Sequence, residues 1–160
     1  MRTGARGEIV KLKALVGSGE KVVLFTLPFL AVGLVLDRTF PSVLDAGSSS
    51  GVLTAISIVM LVSGVVIWIW SVVLILTKVP KHELITYGPF SLVKHPLYTS
   101  VALLVLPGLG LLLDTWLGVL VGLAMYVGSR IYSREEEETL SETFGDAWDC
   151  YCNTVKMPWL

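Results

Sequence analysis

The sequence predicts an all-α integral membrane protein of about four transmembrane helices, with a cytoplasmic C-terminal helical tail and no Rossmann sheet. Three observations predict it. Of 160 residues, 54% are hydrophobic and only 16% charged, with a mean hydropathy of +0.75, whereas a soluble domain uses about 25% charged residues to cover its surface. Four apolar runs are separated by polar stretches, and the basic residues fall on alternate connections between them. The same apolar excess excludes intrinsic disorder. A formal net charge of -1 and a pI near 6.1 argue against nucleic-acid binding, which calls for a clustered basic face.

Residues 22–36 carry no charge between Lys21 and Asp37 and form a somewhat short spanning helix, with Pro28 as its kink. The run starts some twenty residues in and no small-residue cleavage pattern follows it, so it reads as a retained helix and not a signal peptide. Residues 52–77 form a second, longer run with Trp68 and Trp70 inside it. At ~1.5 Å per residue, it can cross a ~30 Å core with tilt. Residues 97–113 and 115–132 are the third and fourth runs. Only Asp114 separates them, beside Thr115 and Trp116, which predicts a tight helical hairpin.

Charge tests this partition independently, because cytoplasmic loops accumulate Lys and Arg. With both termini inside, Arg2, Arg6, Lys11, Lys13, Lys21, Lys78, Lys81, Lys94, Arg130, Arg134 and Lys156 all lie on one side, and only Arg38 of the twelve basic residues lies on the other. A three-span arrangement breaks that segregation. The chain thus divides into residues 1–77, an amphipathic N-terminal segment and two membrane helices, and residues 78–160, a polar island, a hairpin and an acidic tail. Cys150 and Cys152 are the only cysteines; two positions apart, they suit neither an ordinary disulfide nor a four-ligand zinc site.

Chemistry concentrates in two places. The island reads HELITYGPFSLVKHPLYTS from His82 to Ser100, with a turn at Gly88-Pro89 and a break at His95-Pro96. A residue ahead of proline is pushed out of the helical region, while proline suits a helix's first turn. His95 therefore stands at a helix entrance and Tyr98 one turn in. An interfacial tyrosine and a local cap are the plain alternative. In the tail, four consecutive acids, Glu135 to Glu138, occupy every side of a helical turn, so at least one faces the protein. The plain alternative is a solvated acidic face whose Glu137 or Glu138 pairs with Arg130 or Arg134 at helical spacing.

The ordered pair of motifs resembles the isoprenylcysteine carboxyl methyltransferase family and its phospholipid methyltransferase relatives. The family pattern is approximately H-x-L-I/V-T-x-G-P-Y-x-x-x-R-H-P-x-Y-x-G, two membrane helices, then E-E-x-x-L-x-x-x-F-G-x-x-Y-x-x-Y. His82, Leu84, Ile85, Thr86, Gly88, Pro89, His95, Pro96 and Tyr98 match the first half, and Glu136, Glu137, Leu140, Phe144, Gly145 and Tyr151 the second. The likeness covers about half the chain, residues 78–158. It implies S-adenosylmethionine as cofactor, held without the strand-G-x-G-x-x-G arrangement that this sequence also lacks. It further implies a lipophilic or amphiphilic acceptor that enters from membrane lipid.

Carried over by position, the resemblance makes His82, Glu83, Leu84 and Ile85 one wall of the cofactor site. Phe90, His95, Pro96, Leu97 and Tyr98 form another, and Glu136 and Glu137 come from the tail. These residue types suit the cofactor. A carboxylate accepts from a ribose diol or amine, and an aromatic face beside a sulfonium cation is favourable by about 0.5–2 kcal/mol. The family's acceptor-orienting arginine, four residues before the cofactor glutamate, falls on Tyr132. Arg130 lies two residues earlier and Arg134 two later, about 200° round the helix. Tyr132 and Arg130 are the candidate catalytic residues on this alignment, and the departure favours an acceptor other than an isoprenylcysteine carboxylate. Lys94, Ser100 and Trp148 stand where the family has arginine, glycine and tyrosine. The resemblance implies a methyltransferase whose default reaction is carboxyl O-methylation of the isoprenylcysteine type; phospholipid amine or small-thiol methylation remain open, as does a non-enzymatic membrane protein whose acidic tail binds a partner or a cation.

Overall fold

The computed structural model describes residues 18–47, 51–81 and 83–157. The basic residues Arg2, Arg6, Lys11 and Lys13 lie outside these, as does the candidate His82. Among the described residues every regular element is helical. Helix α1 spans Ser18–Thr39, the short α2 Pro41–Leu44 and the long α3 Gly51–Lys78. After 3-10 turns at Val79–Lys81 and Gly88–Ser91 come α4 Pro96–Ser100, a π-helical turn Val101–Val105 and α5 Leu106–Leu112. Helix α6 runs Leu117–Phe144 and α7 Asp146–Thr154.

Helices α1 and α3 are long and apolar enough to cross a membrane, and Pro96–Leu112 forms a shorter apolar stretch. Their outer faces are apolar and open, as at Leu24, 68% exposed, and Leu76, 69% exposed. A contiguous belt of this kind suits lipid as solvent, since water penalises it. The inner faces are made of small residues. Ser57, Gly64 and Ser71 recur every seven positions along α3 and are buried. Ser57 and Ser71 donate their hydroxyls to Leu53 and Ile67 carbonyls at 2.7 and 2.8 Å, which satisfies them within the helix and leaves a flat face for α5.

The third run is not one uniform α-helix. Leu106 N–H bonds to Val101 O, five residues back, in the π-helical turn that precedes Pro107. Proline lacks the N–H an α-helix would use there and its ring crowds the preceding turn, so widening the helix accommodates it. The hairpin that follows is tight. Asp114 takes φ 61°, a left-handed conformation that Asp tolerates better than most side chains. Trp116 N–H donates to Leu44 O at 2.8 Å, and Thr115 Oγ1 to Asp37 Oδ1 at 2.9 Å, tying the hairpin to α1 and α2. A Cβ on Gly118 would lie 2.1 Å from Leu106 O, and one on Gly122 2.2 Å from Ala102 O, so backbones touch where these glycines stand.

Helix α6 carries the fourth run directly into the acidic segment without a break. It ends at Gly145, whose φ 50° and ψ -126° belong to glycine's permitted space. There the chain turns back as α7, which buries Trp148, Tyr151 and Val155 against Leu84, Leu140 and Phe144. Backbone bonds from Met157 N–H to Leu92 O at 2.9 Å and from Lys156 N–H to Ser91 O at 3.3 Å fasten the tail to the island.

Candidate functional site

At the end of the bundle where island and tail meet lies a cavity of about 270 Å³. The island supplies Glu83, Leu84, Ile85, Phe90, Lys94, His95, Pro96, Leu97 and Tyr98 to its wall, and α6 and α7 supply Glu136, Leu140, Thr143, Phe144, Trp148 and Tyr151. Val72, Ile75, Leu76 and Val79, at the end of α3 and just beyond it, complete it with apolar surface. Most of the residues that the resemblance assigns to cofactor binding are therefore gathered around one space. Tyr132 and Arg130 are not part of this wall. Tyr132 packs edge-on against Phe25 of α1, ring centroids 6.1 Å apart, one and more helical turns from Glu136.

The polar centre is built on three adjacent contacts. Glu136 is 6% exposed. Its Oε1 accepts from Tyr98 OH at 3.1 Å and from the hydroxyl and the backbone N–H of Ser18, the latter at 3.2 Å. Its Oε2 lies 3.7 Å from His95 Nδ1. The other ring nitrogen, His95 Nε2, donates to Glu137 Oε1 at 3.1 Å. An ionised carboxylate can only accept, so this bond places a proton on Nε2 and turns Nδ1 toward Glu136.

Glu137 also receives Lys94 Nζ at 3.0 Å on its second oxygen. The His95 hydrogen bond, assisted by Lys94, holds the Glu137 carboxyl down to about 2. This replaces the local pairing expected of the acidic run: among the described residues neither Arg130 nor Arg134 forms an ion pair. Lys94 reaches Glu137 from a segment folded against α6, and its ammonium also lies 5.8 Å from the centre of the Trp148 ring. A rigid partner held by tertiary structure outcompetes a flexible arginine on an open helix face. Glu135 bonds Lys21 at the surface.

Helix α7 is positioned by Tyr151, which donates its hydroxyl to Phe90 O at 2.8 Å. Burial pushes its phenol well above the usual range, which keeps the proton that the bond needs. Burial likewise pushes the half-buried Cys152 thiol up, so it packs as a thiol. Both cysteines are free. Among the described residues, no three His, Cys, Asp or Glu side chains gather as metal ligands.

Sequence reasoning missed Ser18, whose contact with Glu136 spans 118 positions, and the apolar wall from α3, which has no motif. It also left Leu140, Phe144, Trp148 and Tyr151 outside the candidate site, although they match or nearly match the tail motif.

A helical bundle with an apolar exterior, closing one end over a small cavity with a buried carboxylate and aromatic walls, defines a helical membrane-type protein with a ligand-sized pocket at its polar end. The family model for the isoprenylcysteine carboxyl methyltransferase (ICMT) family matches residues 51–142, more than half of the chain, and the chain belongs to this family. Membership makes it one of a group of membrane methyltransferases. Comparison with curated proteins and with solved structures found no match in either.

Proposed function

We propose that the protein transfers a methyl group from S-adenosylmethionine to a lipophilic or amphiphilic acceptor at the cytoplasmic membrane face. The observation that carries this reading is the single cavity on which the island and tail motifs converge, with His95 Nδ1 and Glu136 Oε2 3.7 Å apart. The donor set suits the cofactor. Glu136 offers a carboxylate oxygen to hydroxyl or ammonium donors, Phe90, Tyr98 and Trp148 offer aromatic faces to a nucleobase or a sulfonium, and Leu84 and Ile85 offer apolar contact. When bound, S-adenosylmethionine supplies an electrophilic methyl group on positively charged sulfur.

The chain's part in such a reaction is alignment and exclusion of water. Glu136 and His95 orient, Trp148 and Tyr151 of α7 wall the pocket on the tail side, and Val72, Ile75 and Leu76 of α3 wall it with apolar surface. The exposed apolar face of α3 at Leu76 suits an acceptor that arrives laterally. The acceptor's reactive atom must reach the site deprotonated or lose its proton to a nearby group. With Tyr132 turned to Phe25 and Lys94 held by Glu137, the described residues of the cavity wall present no uncommitted lysine or arginine. This favours an acceptor other than an isoprenylcysteine carboxylate, with a phospholipid amine or a small thiol as the leading alternatives.

We read α1, α3, the stretch Pro96–Leu112 and the apolar first half of α6 as four spans, with both termini and the site cytoplasmic. The test of the reaction is extraction of membrane lipids after overexpression and a search by mass spectrometry for products heavier by one methyl group. Such products, absent from a Glu136→Ala strain, support the assignment. Unchanged lipids, with no transfer of labelled methyl to any membrane fraction, refute it.

A further inference from the structure

Glu136 is held from a direction that neither motif supplies. Ser18, the first described residue of α1, is 3% exposed and gives Glu136 Oε1 both its hydroxyl and its backbone N–H. Ser18 Oγ also lies 2.9 Å from Tyr98 OH, and Tyr98 OH lies 3.1 Å from the same Oε1. Serine, tyrosine and glutamate therefore close a triangle. Two hydroxyl protons and one amide proton converge on one carboxylate oxygen, which uses up its acceptor capacity. The second oxygen, Oε2, lies 3.7 Å from His95 Nδ1, and both Glu136 and His95 line the cavity.

We propose that Ser18 is a positioning residue for ligand binding: by saturating Oε1 of Glu136 together with Tyr98, it presents Oε2 to the cavity and makes the site depend on how α1 sits. This rests on the reading of Glu136 as a cofactor contact. Ser18 does not line the cavity, so it acts through Glu136 and through the Tyr98 hydroxyl that shares the same carboxylate oxygen. Helix α1 otherwise packs along α6, with Phe25 seated against Gly128. A shift of α1 would thus be felt at the carboxylate first. Charge-assisted hydrogen bonds of this kind orient as well as stabilise.

The test is titration calorimetry of the purified full chain in detergent with S-adenosylhomocysteine, alongside cofactor KM and kcat. Ser18→Ala should weaken binding and raise the cofactor KM about tenfold, the scale of one hydrogen bond to a charged group, with kcat within about twofold. Ser18→Thr, which restores a hydroxyl, should recover most of the loss. In a Glu136→Gln background, Ser18→Ala should cost nothing further. Wild-type affinity in Ser18→Ala overturns the proposal, as does a loss that is equal in the Glu136→Gln background or accompanied by a fall in kcat alone. If the wild-type protein binds no S-adenosylhomocysteine, the cofactor reading itself fails and takes this inference with it. Normal wild-type binding that ignores Ser18 sinks only the inference.

Discussion

His95 Nε2 lies 3.1 Å from Glu137 Oε1 across 42 positions of sequence, joining the last polar residue before one hydrophobic run to the acidic segment after the next. This bond fixes the ring so that its other nitrogen meets Glu136. It also makes the acidic side of the stability profile a report on the site. The Glu137 carboxyl is held at about 2 against an ordinary 4.5. A depressed carboxyl pKa contributes stability that is present above the unfolded value and lost as pH falls toward the folded one. Thermal melts of the wild type should therefore fall between about pH 4.5 and about pH 2. Glu137→Gln should remove about 1–2 kcal/mol at neutral pH and flatten that slope. A parallel pH profile in the variant would contradict the pairing.

The glycines of the hairpin make a sharper structural prediction. Gly118→Val and Gly122→Leu force side chains into the Leu106 and Ala102 carbonyls, and each should cost about 3 kcal/mol or more or prevent folding. Gly51→Ala meets nothing within 4 Å and should leave the melting temperature unchanged. Size-exclusion profiles and melts in detergent check the contrast.

Closure by the tail is testable at two residues. Tyr151→Phe removes only the bond to Phe90 O and should cost about 1 kcal/mol. Trp148→Ala opens the wall that Trp148 forms beside Lys94 and should cost about 3–5 kcal/mol. Hydrogen exchange should quicken in α7 in both, and most in Trp148→Ala. Unchanged protection in α7 would mean that these contacts do not hold the tail.

Topology follows from the basic residues. A reporter fused after Leu160 should be cytoplasmic and one inserted near Ser49 should not. Finding both on one side would overturn the arrangement of spans.

Much of this was legible in the chain, for identifiable reasons. Uncharged runs bounded by Lys21, Asp37 and Lys78 mark helix limits because burying charge in lipid is costly, and α1 and α3 extend only a few residues beyond those runs. Four acids around one turn require one to face inward, and Glu136 does. His95 ahead of Pro96 marks the helix entrance, where it stands as N-cap residue. Contacts fixed only by tertiary packing were not legible. The pairing of Glu137 with Lys94 displaced the local arginine pairing that spacing suggests. Ser18 carries no motif, and its role depends on α1 lying along α6. The π-helical turn before Pro107 answers a local clash that hydropathy does not register.

The most direct measurement is calorimetric binding of S-adenosylhomocysteine to the purified wild-type protein and to His95→Ala and Glu136→Ala. Saturable one-site binding, weakened about tenfold or more by each substitution while the helical spectrum is retained, is the predicted result. No heat at millimolar ligand, or equal affinity in all three proteins, would contradict the placement of a cofactor between His95 and Glu136.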